Sequence, residues 1–143
     1  MAKVDLSYIK KVFSEGFGGA GGDTEAFREL MLMILARATD ADAYTHPAEV
    51  AAAQAVIKKH LNEELDGAEI RTVALSELYE EAPLEKYISR LAHSLSIEQR
   101  KTIISALAEV LRSDGRVAAS EAIYFDMVAM ALRMTYSEVA GLS

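Results

Sequence analysis

Residues 34–49, ILARATDADAYTHPAE, and residues 106–121, ALAEVLRSDGRVAASE, are two versions of one segment. The similarity extends without a gap over residues 24–61 and 96–133, at a constant offset of 72 residues. The matched pairs include both polar and apolar residues: Arg28 with Arg100, Met31 with Ile103, Leu32 with Ile104, Leu35 with Leu107, Ala36 with Ala108 and Val56 with Val128. We therefore predict two copies of one helical hairpin, related by an approximate twofold axis.

Composition favours a single all-α domain over residues 1–143. Ala, Leu, Met, Glu, Lys and Arg are abundant and there are only 2 prolines, which favours helix over strand. A chain of 143 residues is long enough to bury one core. The chain has no cysteine, which excludes thiolate metal sites, disulfides and thiol catalysis.

The N-terminus and the net charge bear on location and partners. The opening MAKVDLSYIKKVF has no apolar run of the secretory type, and no stretch approaches the ~20 apolar residues of a membrane span. We therefore expect a cytoplasmic protein that does not insert into membranes. The net charge of −7 argues against nucleic acid and is compatible with a cation or a basic partner.

Hydrophobic periodicity predicts a compact bundle of about seven or eight helices. We expect Ser96 and Gln99 to form a capping box, Pro47 to be a first helical residue and Gly115 to be left-handed. The predicted helices cover residues 5–14, 24–41, 47–62, 66–82, 84–93, 96–114, 119–134 and 137–142. On the helix at 119–134, the residues expected to face inward are Ile123, Met127, Val128, Met130 and Ala131.

A Gly-rich loop at residues 15–22 separates the first two predicted helices. It contains a G-x-G-x-x-G pattern from Gly16 to Gly21 and precedes a helix. A dinucleotide-binding fingerprint needs a strand before these glycines, whereas here we predict a helix before them. We therefore interpret the loop as a flexible hinge.

Asp42 and Asp114 occupy matching places at the C-terminal ends of their predicted helices. The helix dipole disfavours an anion there by about 0.3–1 kcal/mol, and a bound cation would offset that cost. The alternative is ordinary turn chemistry, in which each Asp side chain accepts from nearby backbone N–H groups.

Glu49 and Glu121 fall near the third position of the helix that follows each turn. A Glu there reaches back to cap the first N–H groups of its helix, which is the alternative to any metal role. If the hairpins are related by a twofold axis, Asp42, Glu49, Asp114 and Glu121 converge. Four such carboxylates form an all-oxygen site suited to Ca²⁺, Mg²⁺ or Mn²⁺.

Other known kinds of metal site do not match the sequence. No Gly or twelfth-position Glu follows Asp40-Ala41-Asp42 at the spacing of an EF-hand loop. No histidine has a Glu three residues before it, as a di-iron bundle requires. His46 remains an auxiliary ligand candidate, although a helix-entry role suits it better. No nucleophile-plus-base arrangement is recognisable, so we do not expect an enzyme.

The two quoted segments, the first taken from Leu32 as LMILARATDADAYTHPAE, resemble the TerB-like domain of tellurite-resistance proteins. A similar all-helical domain begins some membrane-anchored DnaJ-type co-chaperones. The resemblance runs from about Thr24 to the end and rests on the duplicated acidic motif. Two residues depart from the pattern: Ala43 stands where the family favours Gly, and Ala118 replaces a capping Ser or Thr.

The resemblance implies a cytoplasmic helical domain linked to tellurite resistance or a wider stress response. It also implies a cation site at the four acidic residues, and partners among other stress-response proteins, some of them in the membrane. We therefore hypothesise a metal-responsive binding or scaffolding module. The alternative is a purely structural protein–protein interaction domain whose acidic turns only cap helices.

Overall fold

The computed structural model describes residues 6, 9, 22–39, 47–76, 78–113, 115, 118–135 and 137. Its α-helices are α1 Gly22–Ala38, α2 Pro47–Leu61, α3 Gly67–Ala74, α4 Leu78–Glu81, α5 Leu84–Leu91, α6 Ile97–Leu111 and α7 Ala119–Ala131. A 3₁₀ turn at Ala92–Ser94 links α5 to α6. These residues contain no strand, so the predicted all-α class is confirmed.

Helix α1 lies at the centre of the bundle. It packs against α2, α3, α5 and α6, and α6 also contacts α2 and α7. Every residue from Leu30 to Ala36 is buried, because α1 has neighbours on all sides. Leu35 and its counterpart Leu107 on α6 are both fully buried, as the shared apolar pattern predicts.

Local capping sets several helix boundaries. Ser96 Oγ accepts from the Gln99 backbone N–H at 3.0 Å, and Gln99 Oε1 accepts from the Ser96 N–H at 2.9 Å, which confirms the predicted capping box. Asp66 and Glu69 form a second one at the start of α3. Gly115 has the predicted left-handed conformation, with φ of +81°.

The helix predicted over residues 66–82 is interrupted. Helix α3 ends at Ala74, and α4 begins at Leu78. The Ser76 N–H donates to the Val73 carbonyl, and Ser76 Oγ accepts from the Leu78 N–H at 3.2 Å. A serine side chain that bonds to the local backbone competes with the helical hydrogen bonds and starts a new helix instead.

The inward face predicted for α7 is wrong at Ile123 and Met130, which are 70% and 74% exposed. The buried face contains Glu121 and Val128. Ile123 and Met130 each follow one of these by two residues, which rotates them by about 200° around the helix. Apolar residues surround most of α7, so periodicity did not identify the buried side.

Several predictions lie outside the described residues. These are most of the helix at 5–14, the Gly-rich loop up to residue 21, the turn at 42–45 and most of the helix at 137–142. Gly22 is the first residue of α1. Within the described ranges, no helix combines the length and apolar character needed to span a bilayer.

Candidate functional site

The second helix of each hairpin contains one glutamate, and the two glutamates occupy equivalent places. Glu49 is the third residue of α2, and Glu121 is the third residue of α7. Glu49 is 0% exposed and Glu121 is 1% exposed. Glutamate is almost never fully buried without a compensating partner. The burial of both equivalent carboxylates therefore needs a physical explanation.

Helix capping explains one oxygen of Glu121. Its Oε1 accepts from the Ala118 backbone N–H at 2.8 Å, so the predicted capping role of Glu121 is confirmed. This is half of a capping box, because the alanine side chain at the N-cap has no acceptor to offer in return. The other oxygen, Oε2, is buried and has no hydrogen-bond partner among the described residues. Capping accounts for only part of this carboxylate.

The two predicted aspartate ligands, Asp42 and Asp114, lie outside the described residues, as does His46. Among the residues that are described, no three acidic or histidine side chains form a group that could hold a metal ion. The described part of the chain therefore contains two of the four predicted ligands, Glu49 and Glu121. Whether all four carboxylates meet stays a prediction.

Sequence reasoning missed a third buried carboxylate, Glu29 on α1. It is 1% exposed, and its Oε1 accepts from the Ile9 backbone N–H at 2.9 Å. Ile9 itself is fully buried, so this bond ties Ile9 to α1. The sequence contains one indication of this burial, because Glu29 lies between Phe27 and the apolar run that begins at Leu30.

A groove of about 1150 Å³ runs between α2 and α3. Its lining includes Val50, Ile70 and Leu75, and Leu75 is 65% exposed. Arg71 and Gln54 provide polar groups at its edge. The lining residues contain no carboxylate or imidazole, so the groove offers no general acid or base among the described residues.

Three titratable groups link α1 to its neighbours. Tyr124 on α7 donates from its hydroxyl to the Ile34 carbonyl at 2.7 Å, and burial raises the pKa of Tyr124 well above its usual value. Arg37 lies over the ring of Tyr79 at 4.2 Å from its centroid and donates to the Ala74 carbonyl. Burial also raises the pKa of Tyr79. The hydrogen bond from Tyr124 and the stacking of Arg37 on Tyr79 fasten α1 to the helices around it.

These observations define a class: an all-α domain with a buried carboxylate near the start of the second helix of each hairpin. The sequence model of the family described as "Tellurite resistance protein TerB" matches residues 28–143. The chain belongs to this TerB family, as the duplicated acidic segment indicates. No curated protein and no solved structure matches the chain.

Proposed function

We propose that the protein is a cytoplasmic, non-enzymatic module that binds a divalent hard cation through Asp42, Glu49, Asp114 and Glu121. Its family is associated with tellurite resistance. In this proposal, cation uptake changes how the domain binds other stress-response proteins, some of them in the membrane. The observation that carries the cation site is the complete burial of two equivalent glutamates, one of which has an oxygen with no hydrogen-bond partner among the described residues.

The energetic argument starts from Glu121 Oε2. A buried polar atom without a partner costs about 1–3 kcal/mol, and more when it is charged. A cation at this oxygen would remove that cost. Carboxylate oxygens suit Ca²⁺, Mg²⁺ and Mn²⁺, and the chain has no thiolate to favour softer metals. The missing thiols also argue against direct reduction or sequestration of tellurite by this chain.

The test is thermal unfolding with added Ca²⁺, Mg²⁺ or Mn²⁺, supported by calorimetric titration. An ion that binds only the folded state stabilises it by about 1.4 kcal/mol at ten times its Kd. We expect a concentration-dependent rise in Tm for the native sequence. Glu121→Gln should abolish this rise, because the amide still accepts from the Ala118 N–H but removes the charge. Asp114→Asn should abolish it too.

The matched control is Glu109→Gln on α6, which removes one charge from an exposed site. Its cation response should equal that of the native sequence, since it changes net charge without changing the proposed ligands. If no ion binds at millimolar concentration, or if Glu109→Gln weakens the response as much as Glu121→Gln does, the cation site is wrong.

The groove between α2 and α3 favours a second candidate, a purely structural interaction domain. An open, largely apolar groove beside the exposed Leu75 is a common feature of protein-binding surfaces. In that case Glu49 and Glu121 are only helix caps, and the Tm does not depend on cations. The same melting experiment therefore separates the two proposals.

A further inference from the structure

Equivalent arginines in the two hairpins have different hydrogen-bond partners. In the first hairpin, Arg28 on α1 binds the Glu63 carboxylate through Nε and Nη2, with 3.0 Å between Nη2 and Glu63 Oε1. The hydrogen bond from Arg28 to Glu63 is the main cause that raises the pKa of Arg28. This is the bidentate geometry, in which a guanidinium binds a carboxylate most strongly.

In the second hairpin, Arg100 on α6 is equivalent to Arg28 but binds no carboxylate among the described residues. Its Nη1 donates to the Leu132 carbonyl at 3.2 Å, at the C-terminal end of α7. Its Nε is buried and has no hydrogen-bond partner in the described part of the chain. A buried donor of this kind is uncommon in native proteins and calls for an explanation.

The positions equivalent to Glu63 have no acidic residue in the second hairpin. The 72-residue offset places Thr135 where the first hairpin has Glu63. The left-handed residues Asn62 and Arg133 give a second alignment, which places Met134 there instead. Neither Thr135 nor Met134 has a carboxylate. Neither position equivalent to Glu63 therefore supplies an acid to the guanidinium edge that includes Arg100 Nε.

We infer that the edge of the Arg100 guanidinium formed by Nε and Nη2 is a binding site for a carboxylate from another molecule. The bond to the Leu132 carbonyl holds the guanidinium in one orientation, which lowers the entropic cost of binding. A carboxylate has one oxygen for each of Nε and Nη2, whereas a carbonyl has a single oxygen. Because Nε is shielded from solvent, the ligand must displace whatever covers it, which favours a small carboxylate or a single acidic side chain.

This site is independent of the cation proposal. Arg100 repels cations, and the ligand is an anion. The net charge of −7 opposes an anion at long range, so binding should be weak and sensitive to ionic strength. The test must therefore hold ionic strength constant while the carboxylate concentration changes.

The experiment is a ¹⁵N NMR titration that follows the side-chain Nε–H signals of the arginines in the full chain. Sodium acetate replaces sodium chloride at fixed ionic strength. We expect the Arg100 signal to shift and to saturate, while the Arg28 signal stays still because Glu63 already occupies that edge. The variant Arg100→Lys assigns the signal by removing it. An Arg100 signal that does not move, or that moves no more than the Arg28 signal, overturns the inference.

Two matched variants locate the acetate. Thr135→Glu places a carboxylate at the position equivalent to Glu63, and Ser120→Glu adds the same charge at an exposed site at the other end of α7. Thr135→Glu should weaken acetate binding by about tenfold, and Ser120→Glu by less than about twofold. Equal weakening by both variants, or weakening by neither, would place acetate elsewhere and overturn the assignment.

A final comparison identifies the source of the carboxylate. The probe is a blocked hexaglutamate peptide, compared with acetate at equal carboxylate concentration. Half-saturation at a concentration about tenfold lower for the peptide assigns the site to acidic segments of protein partners. Equal half-saturation assigns it to free small carboxylates.

Discussion

The hairpin formed by α1 and α2 and the hairpin formed by α6 and α7 share apolar positions and differ in the polar contacts around them. Leu35 and Leu107 are both fully buried. Glu49 and Glu121 both lie at the third residue of a helix and are both buried. Features that depend on helical periodicity and on the position within a helix are thus the same in both copies.

Other polar contacts of equivalent residues are not shared. Arg28 binds Glu63, whereas Arg100 donates to the Leu132 carbonyl. Tyr124 on α7 donates to the Ile34 carbonyl on α1, but the 72-residue offset places Ala52 at the equivalent site on α2. The two hairpins thus share buried apolar positions, while Arg28, Arg100 and Tyr124 each have polar neighbours that the other hairpin lacks.

The largest predicted effect tests whether the two cores are equivalent. Leu35→Ala and Leu107→Ala should each lower the free energy of unfolding by about 2–5 kcal/mol, because each leaves a cavity in a closely packed interior. Denaturant unfolding measures both losses. The control is Leu75→Ala, where a side chain that is 65% exposed should cost less than about 0.5 kcal/mol. A loss of less than about 0.5 kcal/mol at either buried site would show that the copies do not share a core.

The success of the leucine prediction and the failure at Ile123 have one physical cause. Leu35 and Leu107 lie on helices at the middle of the bundle, where an apolar stripe has a packing partner. Helix α7 is apolar around most of its surface, so its sequence does not specify which side is buried. Tertiary contacts decide the orientation in such a helix, and a single sequence does not contain them.

The candidate site was predictable to a similar extent. The reach of Glu121 back to the Ala118 N–H follows from local helix geometry, and the sequence predicted it. The burial of Glu29 was not predicted, because it depends on the backbone of Ile9 at a distance of 20 residues along the chain. The difference between the two arginines could be read from the sequence, since the 72-residue offset, continued two residues past the repeat, places Thr135 opposite Glu63.

A smaller effect is expected for the hydrogen bond from Tyr124 to Ile34. It joins the two hairpins and has no counterpart at Ala52, the residue equivalent to Tyr124. Tyr124→Phe should cost about 1 kcal/mol at pH 7, because the bond to the Ile34 carbonyl is lost. The pKa of Tyr124 is raised in the folded state, so its contribution is complete below the unfolded pKa of about 10 and decreases as pH rises above it. The stability difference between the native sequence and Tyr124→Phe should therefore shrink above about pH 10, as urea melts at several pH values would show.

Tyr79→Phe is the control for this measurement. The Tyr79 hydroxyl is buried and has no hydrogen-bond partner among the described residues, so its removal should be neutral or slightly stabilising at pH 7. Arg37 still stacks on the ring in this variant, because the aromatic face is kept. Equal losses for Tyr79→Phe and Tyr124→Phe would mean that the bond to Ile34 contributes nothing specific.

The smallest effect compares the ends of α2 and α7. Asn62 and Arg133 are both left-handed, with φ of 56° and 62°. After α7 the Arg133 N–H bonds to the Met130 carbonyl and the Met134 N–H to the Ala129 carbonyl, which is a Schellman motif that normally has glycine at the left-handed position. A side chain there costs about 1–2 kcal/mol, although asparagine tolerates this conformation better than arginine.

Arg133→Gly should therefore raise the free energy of unfolding by about 0.5–1 kcal/mol, after the larger backbone entropy of glycine in the unfolded chain is subtracted. Asn62→Gly should change it by less than about 0.5 kcal/mol, because asparagine is already suited to the left-handed region. Urea unfolding of both variants at neutral pH measures the difference. Equal gains would indicate that strain at the two helix ends is the same, and that Arg133 is no less suited to its position than Asn62.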